Sequence, residues 1–119
     1  MVHLAPPDHH LLAMADGTLT LSDAPLEHFS RPSADALFRS VARHFGARAI
    51  AVVLTGRLFD GSGGVGAVHD AGGTVLAQDP AGAAAGSMPA SSIRTGVVDR
   101  VLTLELIAPA LVNLVSVLA

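Results

Sequence analysis

The 119-residue chain contains no cysteine, no tryptophan and no tyrosine, and only four phenylalanines. Without cysteine there is no disulfide scaffold, no cysteine–zinc site, no redox pair and no thiol nucleophile. With so few rings, a base-stacking platform would have to rest on four Phe and six His. Charge is scarce too. Charged residues make up 14%, and seven cations against ten anions leave a net charge of −3. A binder driven by phosphate contacts carries a basic excess, so nucleic acid is excluded as the main partner. No long apolar run is present either. The longest candidate, Leu106–Ala119, contains Pro109, Asn113 and Ser116 and is shorter than the ~20 residues a membrane helix needs. The opening Met1-Val2-His3-Leu4-Ala5-Pro6-Pro7-Asp8 has neither a basic start nor an extended apolar core. No export signal is read there, and the expectation is a soluble, cytoplasmic domain without membrane insertion.

What the chain does have is apolar surface: 50% of its residues are hydrophobic. That excludes a disordered, charge-driven chain, and the length allows one domain. The first thirty residues read as short strands and turns. Val2–Ala5 is apolar and stops at Pro6-Pro7-Asp8. Leu11–Met14, Asp16-Gly17 and Thr18–Leu21 predict a β-hairpin, because an Asp-Gly pair tolerates the positive φ of tight turns. Ser33 is placed to cap a helix, with Asp35 at the positive end of its dipole. Leu37, Phe38, Val41, Ala42 and Phe45 form one apolar stripe, and Gly46 stops it.

Ala49–Leu54 is apolar throughout and rich in β-branched residues. A strand apolar on both sides implies a parallel sheet covered by helices. A helix over Gly63–Ala71, a strand over Thr74–Ala77, a short helix over Met88–Thr95 and a strand or edge over Val97–Leu102 follow. The last helix, Glu105–Leu118, turns Ile107, Ala110, Leu111, Leu114, Val115 and Leu118 to one face, and Pro109 is tolerable only in its first turn. Alternating strands and helices predict an α/β domain.

Few residues could carry chemistry. Asp60 lies beyond the carboxyl end of the strand Ala49–Leu54, where doubly wound sheets gather ligands and catalytic groups. It could orient a histidine, accept from a substrate, hold a metal, or simply cap the helix that follows. Gly61-Ser62-Gly63-Gly64-Val65-Gly66 matches the dinucleotide pattern G-x-G-x-x-G, with Asp79 downstream. The residues between Leu54 and Gly61 break the tight turn that such a pyrophosphate site needs, so no cofactor is expected. His9 and His10 are adjacent and would point to opposite faces of an extended segment, and no third ligand stands at a recognised spacing. No metal site is expected. No Gly-x-Ser-x-Gly elbow occurs, and Ser62 has no histidine at an evident spacing.

Several motifs together resemble one family. Val53-Leu54-Thr55-Gly56-x-x-x-Asp60-Gly61 is followed by Ala71-Gly72-Gly73 and Gln78-Asp79-Pro80. Ala5-Pro6-Pro7-Asp8-His9-His10-Leu11 and Arg31-Pro32-Ser33-Ala34-Asp35-Ala36-Leu37-Phe38 precede them. Ser87-Met88-Pro89, Val98-Asp99-Arg100-Val101 and Leu104-Glu105-x-Ile107-Ala108-Pro109 come after. In that order they resemble the catalytic domain of CheB-type chemotaxis protein-glutamate methylesterases.

The resemblance implies a Ser-His-Asp mechanism that hydrolyses glutamyl methyl esters on methyl-accepting chemotaxis receptors, and deamidation of certain receptor glutamines. Asp60 matches the acid of that triad, whose role is to hold the histidine's tautomer and stabilise the imidazolium. The match covers the C-terminal part of the family domain, taken as one unit over residues 1–119. The family's first strands, serine motif and histidine segment have no counterpart here. The expected fold is therefore doubly wound and mostly parallel with a β-hairpin, lacking the first strands. Arg57 and Phe59 depart from the family's usual loop and add a cation and apolar bulk beside Asp60. Losing a triad serine or histidine costs ~2 × 10⁶ in turnover, so the 119 residues alone are expected to be inactive. An open sheet edge and exposed apolar surface are also expected. The alternative is a catalytically inactive remnant or receptor-interaction module.

Overall fold

A computed structural model describes residues 2–27, 29–55, 61–81 and 86–118. The chain begins without regular structure, and Val2 and Leu4 are almost fully exposed. The apolar run Val2–Ala5 therefore forms no strand, since nothing in the described residues covers it. Strands β1 (His10–Ala13) and β2 (Leu19–Ser22) make the expected antiparallel hairpin, with Ala13 opposite Leu19. The turn differs in detail. The Gly17 N–H donates to the Met14 carbonyl at 3.0 Å, and Gly17 alone of the Asp-Gly pair takes a positive φ, 85°. Asp16 instead contributes its side chain, whose Oδ1 accepts the Thr18 N–H at 3.0 Å and the Thr18 hydroxyl at 2.6 Å.

Helix α1 (Ala34–Phe45) docks the hairpin. The Ala13 N–H donates to Ser40 Oγ at 2.9 Å, and the Ser40 hydroxyl donates to the Leu37 carbonyl at 2.7 Å. His10 is buried between them. Its Nδ1 accepts the Ser33 N–H at 3.2 Å, which leaves Nε2 to donate to the Pro25 carbonyl at 2.9 Å. Ser33 stands at the N-cap with extended backbone, but its side chain makes no capping hydrogen bond. The expected hydroxyl cap is thus not made, and the Ser33 carbonyl simply accepts the first helical bond, from the Leu37 N–H at 3.3 Å.

Arg31 ties the same corner together. Its guanidinium bonds Asp8 Oδ1 at 2.7 and 3.1 Å and reaches the Asp23 and Ala24 carbonyls at 3.2 Å. The hydrogen bond and charge of Arg31 hold the Asp8 carboxyl below its ordinary range. A lowered folded-state value stabilises the fold above the unfolded value and is lost as pH falls through the folded one. The pair is exposed, so the effect is small. The Asp8→Asn variant is expected to be less stable than the parent at pH 7, with the difference vanishing once the pH drops well below ~4. Urea midpoints at both pH values check this.

A second sheet orders β3 (Ile50–Val53), β4 (Thr74–Gln78) and β5 (Arg100–Leu102), all parallel. Helices α2 (Ser62–Asp70) and α3 (Ser87–Arg94) form the crossovers, and α4 (Leu104–Leu118) closes the chain. Side chains alternate across this sheet. Ala51, Val53 and Val75 face a core built with Ala42, Val65 and Val68, and Phe38, Phe45 and Met88 pack against it. Leu76 and Leu102 face the other way, against Ile107 and Ala110 of α4. Helices therefore cover both faces, as the apolar run at 49–54 implied.

Two expectations about α4 fail. Pro109 lies in the second turn, not the first. Its missing N–H leaves a carbonyl on a solvent-exposed side, where water can serve it. Val115 is 58% exposed and does not join the inner face. Leu104, Leu106, Val112 and Val117 are exposed as well, and β3 pairs only with β4 among the described residues.

Candidate functional site

The loop expected to carry chemistry joins β3 to α2. Asp60, with Arg57 and Phe59, lies outside the described residues, but both ends of its segment are within them. At the upstream end, the Thr55 N–H donates to Gln78 Oε1 at 3.2 Å. Gln78 is the last residue of β4, so the side chain ties the exit of one strand to the exit of its neighbour. The Asp79 N–H then donates to the Leu102 carbonyl at 2.7 Å and links β4 to β5. The carboxyl ends of all three parallel strands are laced together where such sheets bind ligands.

The downstream end is held from α1. Gly61 precedes α2 with φ 97°, a conformation that an L side chain adopts only with strain. A Cβ there would stand 3.6 Å from the Phe38 ring and 3.8 Å from Val53, so the residue after Asp60 is wedged between α1 and β3. The first turn of α2 has no side-chain cap of its own. Its cap comes from the partner helix. Asp35, 1% exposed, accepts the Gly64 N–H on Oδ1 at 2.7 Å. A carboxylate satisfies an orphan N–H and meets the positive end of the helix dipole.

Asp35 stands in the first turn of its own helix, as expected, and its buried carboxylate also serves α2. At the glycine pattern of 61–66, where no cofactor is expected, the position an anion would take is filled by the Asp35 carboxylate. Asp79, the matching acid, accepts the Ala81 N–H at 2.9 Å in a local turn. Asp35→Ala leaves the buried Gly64 N–H without its acceptor and is expected to cost about 1.5–3 kcal/mol. Asp35→Asn keeps an acceptor oxygen and is expected to cost less. Urea denaturation of the pair decides, and equal losses would remove the capping role.

Most of the remaining candidates have structural partners. His9 Nδ1 lies 2.6 Å from Asp23 Oδ1, and both ring nitrogens of His10 are engaged. Ser33 stands at the N-cap position of α1, Ser62 and Ser87 open helices, and Ser91 and Ser92 are buried in α3, where Ser92 Oγ has no hydrogen-bond partner among the described residues. The structure brings none of these beside the ends of the Asp60 segment as a nucleophile–base pair. The sequence offers Asp99 only as part of a family motif, without the role it plays here. Its Oδ2 accepts the Val75 N–H at 2.7 Å, and its own N–H donates to the Val75 carbonyl at 2.9 Å, which brackets β5 onto β4. An aspartate directly before a strand, within the motif Val98-Asp99-Arg100-Val101, is the sequence signal for it.

Comparison with known proteins agrees with this architecture. The catalytic domain of the Thermotoga maritima CheB methylesterase superposes with a TM-score of 0.87 at 34% identity. The match covers 92% of this chain and 59% of that one. A protein-glutamate methylesterase/protein-glutamine glutaminase of Rhodospirillum rubrum is 43% identical over 110 residues, which is 90% of this chain and 28% of the relative. A protein of Leptospira interrogans described as a probable enzyme of the same kind is 40% identical over 114 residues, 96% of this chain and 59% of the relative. The chain thus spans between about a quarter and three fifths of these relatives. The family model for CheB methylesterase matches residues 1–111, and the chain belongs to that family.

Proposed function

We propose that residues 1–119 form the C-terminal part of a methylesterase catalytic domain acting in the cytoplasm on methyl-accepting chemotaxis receptors. The reaction adds water across a glutamyl methyl ester and releases methanol and a carboxylate. The same site releases ammonia from certain glutamines. Asp60 is the acid of the triad. It accepts the N–H of the histidine, fixes the tautomer that removes the serine proton, and stabilises the imidazolium that results. The serine and the histidine come from residues outside these 119. The observation that carries the reading is the position of Leu54-Thr55-Gly56-x-x-x-Asp60-Gly61. It runs from the carboxyl end of a buried parallel strand to a helix whose start is pinned by Asp35.

The test combines two measurements on protein captured from its source cells. A native mass well above 12.0 kDa, with methanol released from methylated receptor, supports the esterase. A mass of 12.0 kDa with receptor binding and no methanol would leave an interaction module in its place. The added bulk of Phe59, next to Asp60 in the sequence, is what favours that second outcome.

A further inference from the structure

A cleft of about 590 Å³ opens between the hairpin and the outer face of α1. None of its lining comes from β3, β4, β5 or α2, so it is separate from the Asp60 segment. Its floor is apolar, with Leu12, Ala13 and Ala36. Its α1 wall is cationic, because Arg39 and Arg43 at i and i+4 share that side of the helix, with His44 next to them. Glu27 is the one carboxylate in the lining, and Arg39 Nη2 holds both of its oxygens at 2.5 Å. Arg43 is exposed and has no ion pair among the described residues. The cleft therefore keeps an uncompensated positive charge in a chain whose net charge is −3.

The shape of the cleft restricts the ligand further. Its volume lies in the range of built ligand sites, and its apolar floor suits an aliphatic stem more than a bare phosphate. Glu27 also anchors a tight turn beside the cleft. Its N–H and carbonyl pair with Ser30 at 3.0 and 2.9 Å, and the turn leaves Phe29 98% exposed. A small carboxylate would reach Arg43 but leave most of the cleft empty and that ring in water. A peptide with alternating acidic and apolar residues would place a carboxylate on Arg43 and an apolar side chain on Phe29.

We infer that the cleft between the hairpin and α1 docks an acidic peptide segment, with Arg43 as the anion contact and Phe29 as an outer apolar contact. Charge-assisted hydrogen bonds to Arg supply much of the affinity, and they weaken with salt.

The experiment is a titration of the full isotope-labelled chain, followed by NMR. The probes are an end-blocked peptide Leu-Glu-Glu-Leu-Glu-Glu-Leu, its glutamine counterpart and free glutarate. The acidic peptide is expected to shift Leu12, Ala13 and Ser40, and the glutamine peptide to bind at least ~10-fold more weakly. Arg43→Glu is expected to weaken the acidic peptide by at least ~10-fold and Phe29→Ala by several-fold. Both residues are exposed, so the variants keep the fold, and the unchanged dispersion of the other amide signals checks this. Equal binding of the two peptides, shifts confined to other regions, an unaffected Arg43→Glu variant, or glutarate binding as tightly as the peptide would each overturn the proposal.

Discussion

Asp60→Asn is expected to lower methanol release by about 10⁴-fold in turnover while the protein still folds. Under the proposed function the carboxylate meets a histidine N–H and an imidazolium that forms only as the serine is deprotonated. An amide of the same shape can donate where the carboxylate accepts, so it stabilises the wrong tautomer and supplies no charge. The loss therefore falls on the chemical step. Turnover drops, and the apparent affinity for methylated receptor changes little, because the acid touches the histidine and not the ester. The measurement is steady-state methanol release by the native, full-length protein, with far-ultraviolet circular dichroism as the control for folding. Turnover within about tenfold of the parent would remove Asp60 from the triad and favour the plain helix-cap reading.

The second large effect concerns packing. Gly64→Ala is expected to destabilise the fold by about 3 kcal/mol or more, whereas Gly66→Ala, two residues on, is expected to stabilise it by about 0.5–1 kcal/mol. Both glycines lie in α2. A Cβ at Gly64 would stand 2.6 Å from Phe38 Cβ and 3.0 Å from Asp35 Cα. Neither atom is the free end of a side chain, so α1 and α2 would have to separate, and the Asp35 cap would break with them. A Cβ at Gly66 meets nothing within 4 Å. There, alanine only reduces the freedom of the unfolded chain and improves helix propensity. Urea denaturation of the two variants tests the contrast. Similar effects of the same sign would mean that α1 and α2 do not pack through Gly64.

These two predictions rest on different kinds of knowledge. Asp60 was legible in the sequence, because a motif and its place after an apolar strand both point to it. The importance of Gly64 was not. In the sequence it is one of four glycines in a short run whose spacing fits a flexible loop and close helix packing better than a phosphate cradle, and nothing there says which glycine makes the contact. Only the packing of α1 across α2 turns it into a contact point.

Local periodicity determined the elements. The stripe from Leu37 to Phe45, the buried run around Ala51 and Val53 and the stop at Gly46 each follow from spacing within a few residues. Each was found within a residue or two of its expected place. The order of strands and helices then settled the α/β class. Tertiary structure alone decided where the polar groups go. Ser33 is spaced to cap α1 with its hydroxyl but contributes only its backbone, and Asp35, in the first turn of α1 as its spacing implies, also caps α2. Val115 continued the spacing of α4 but faces water, and Pro109 sits in the second turn because the helix starts at Leu104. The physical reason is one of range. Burial of apolar side chains repeats along the chain and can be read from it. A hydrogen bond between Asp35 and Gly64 joins residues 29 apart, and no local pattern encodes which buried N–H will need an acceptor.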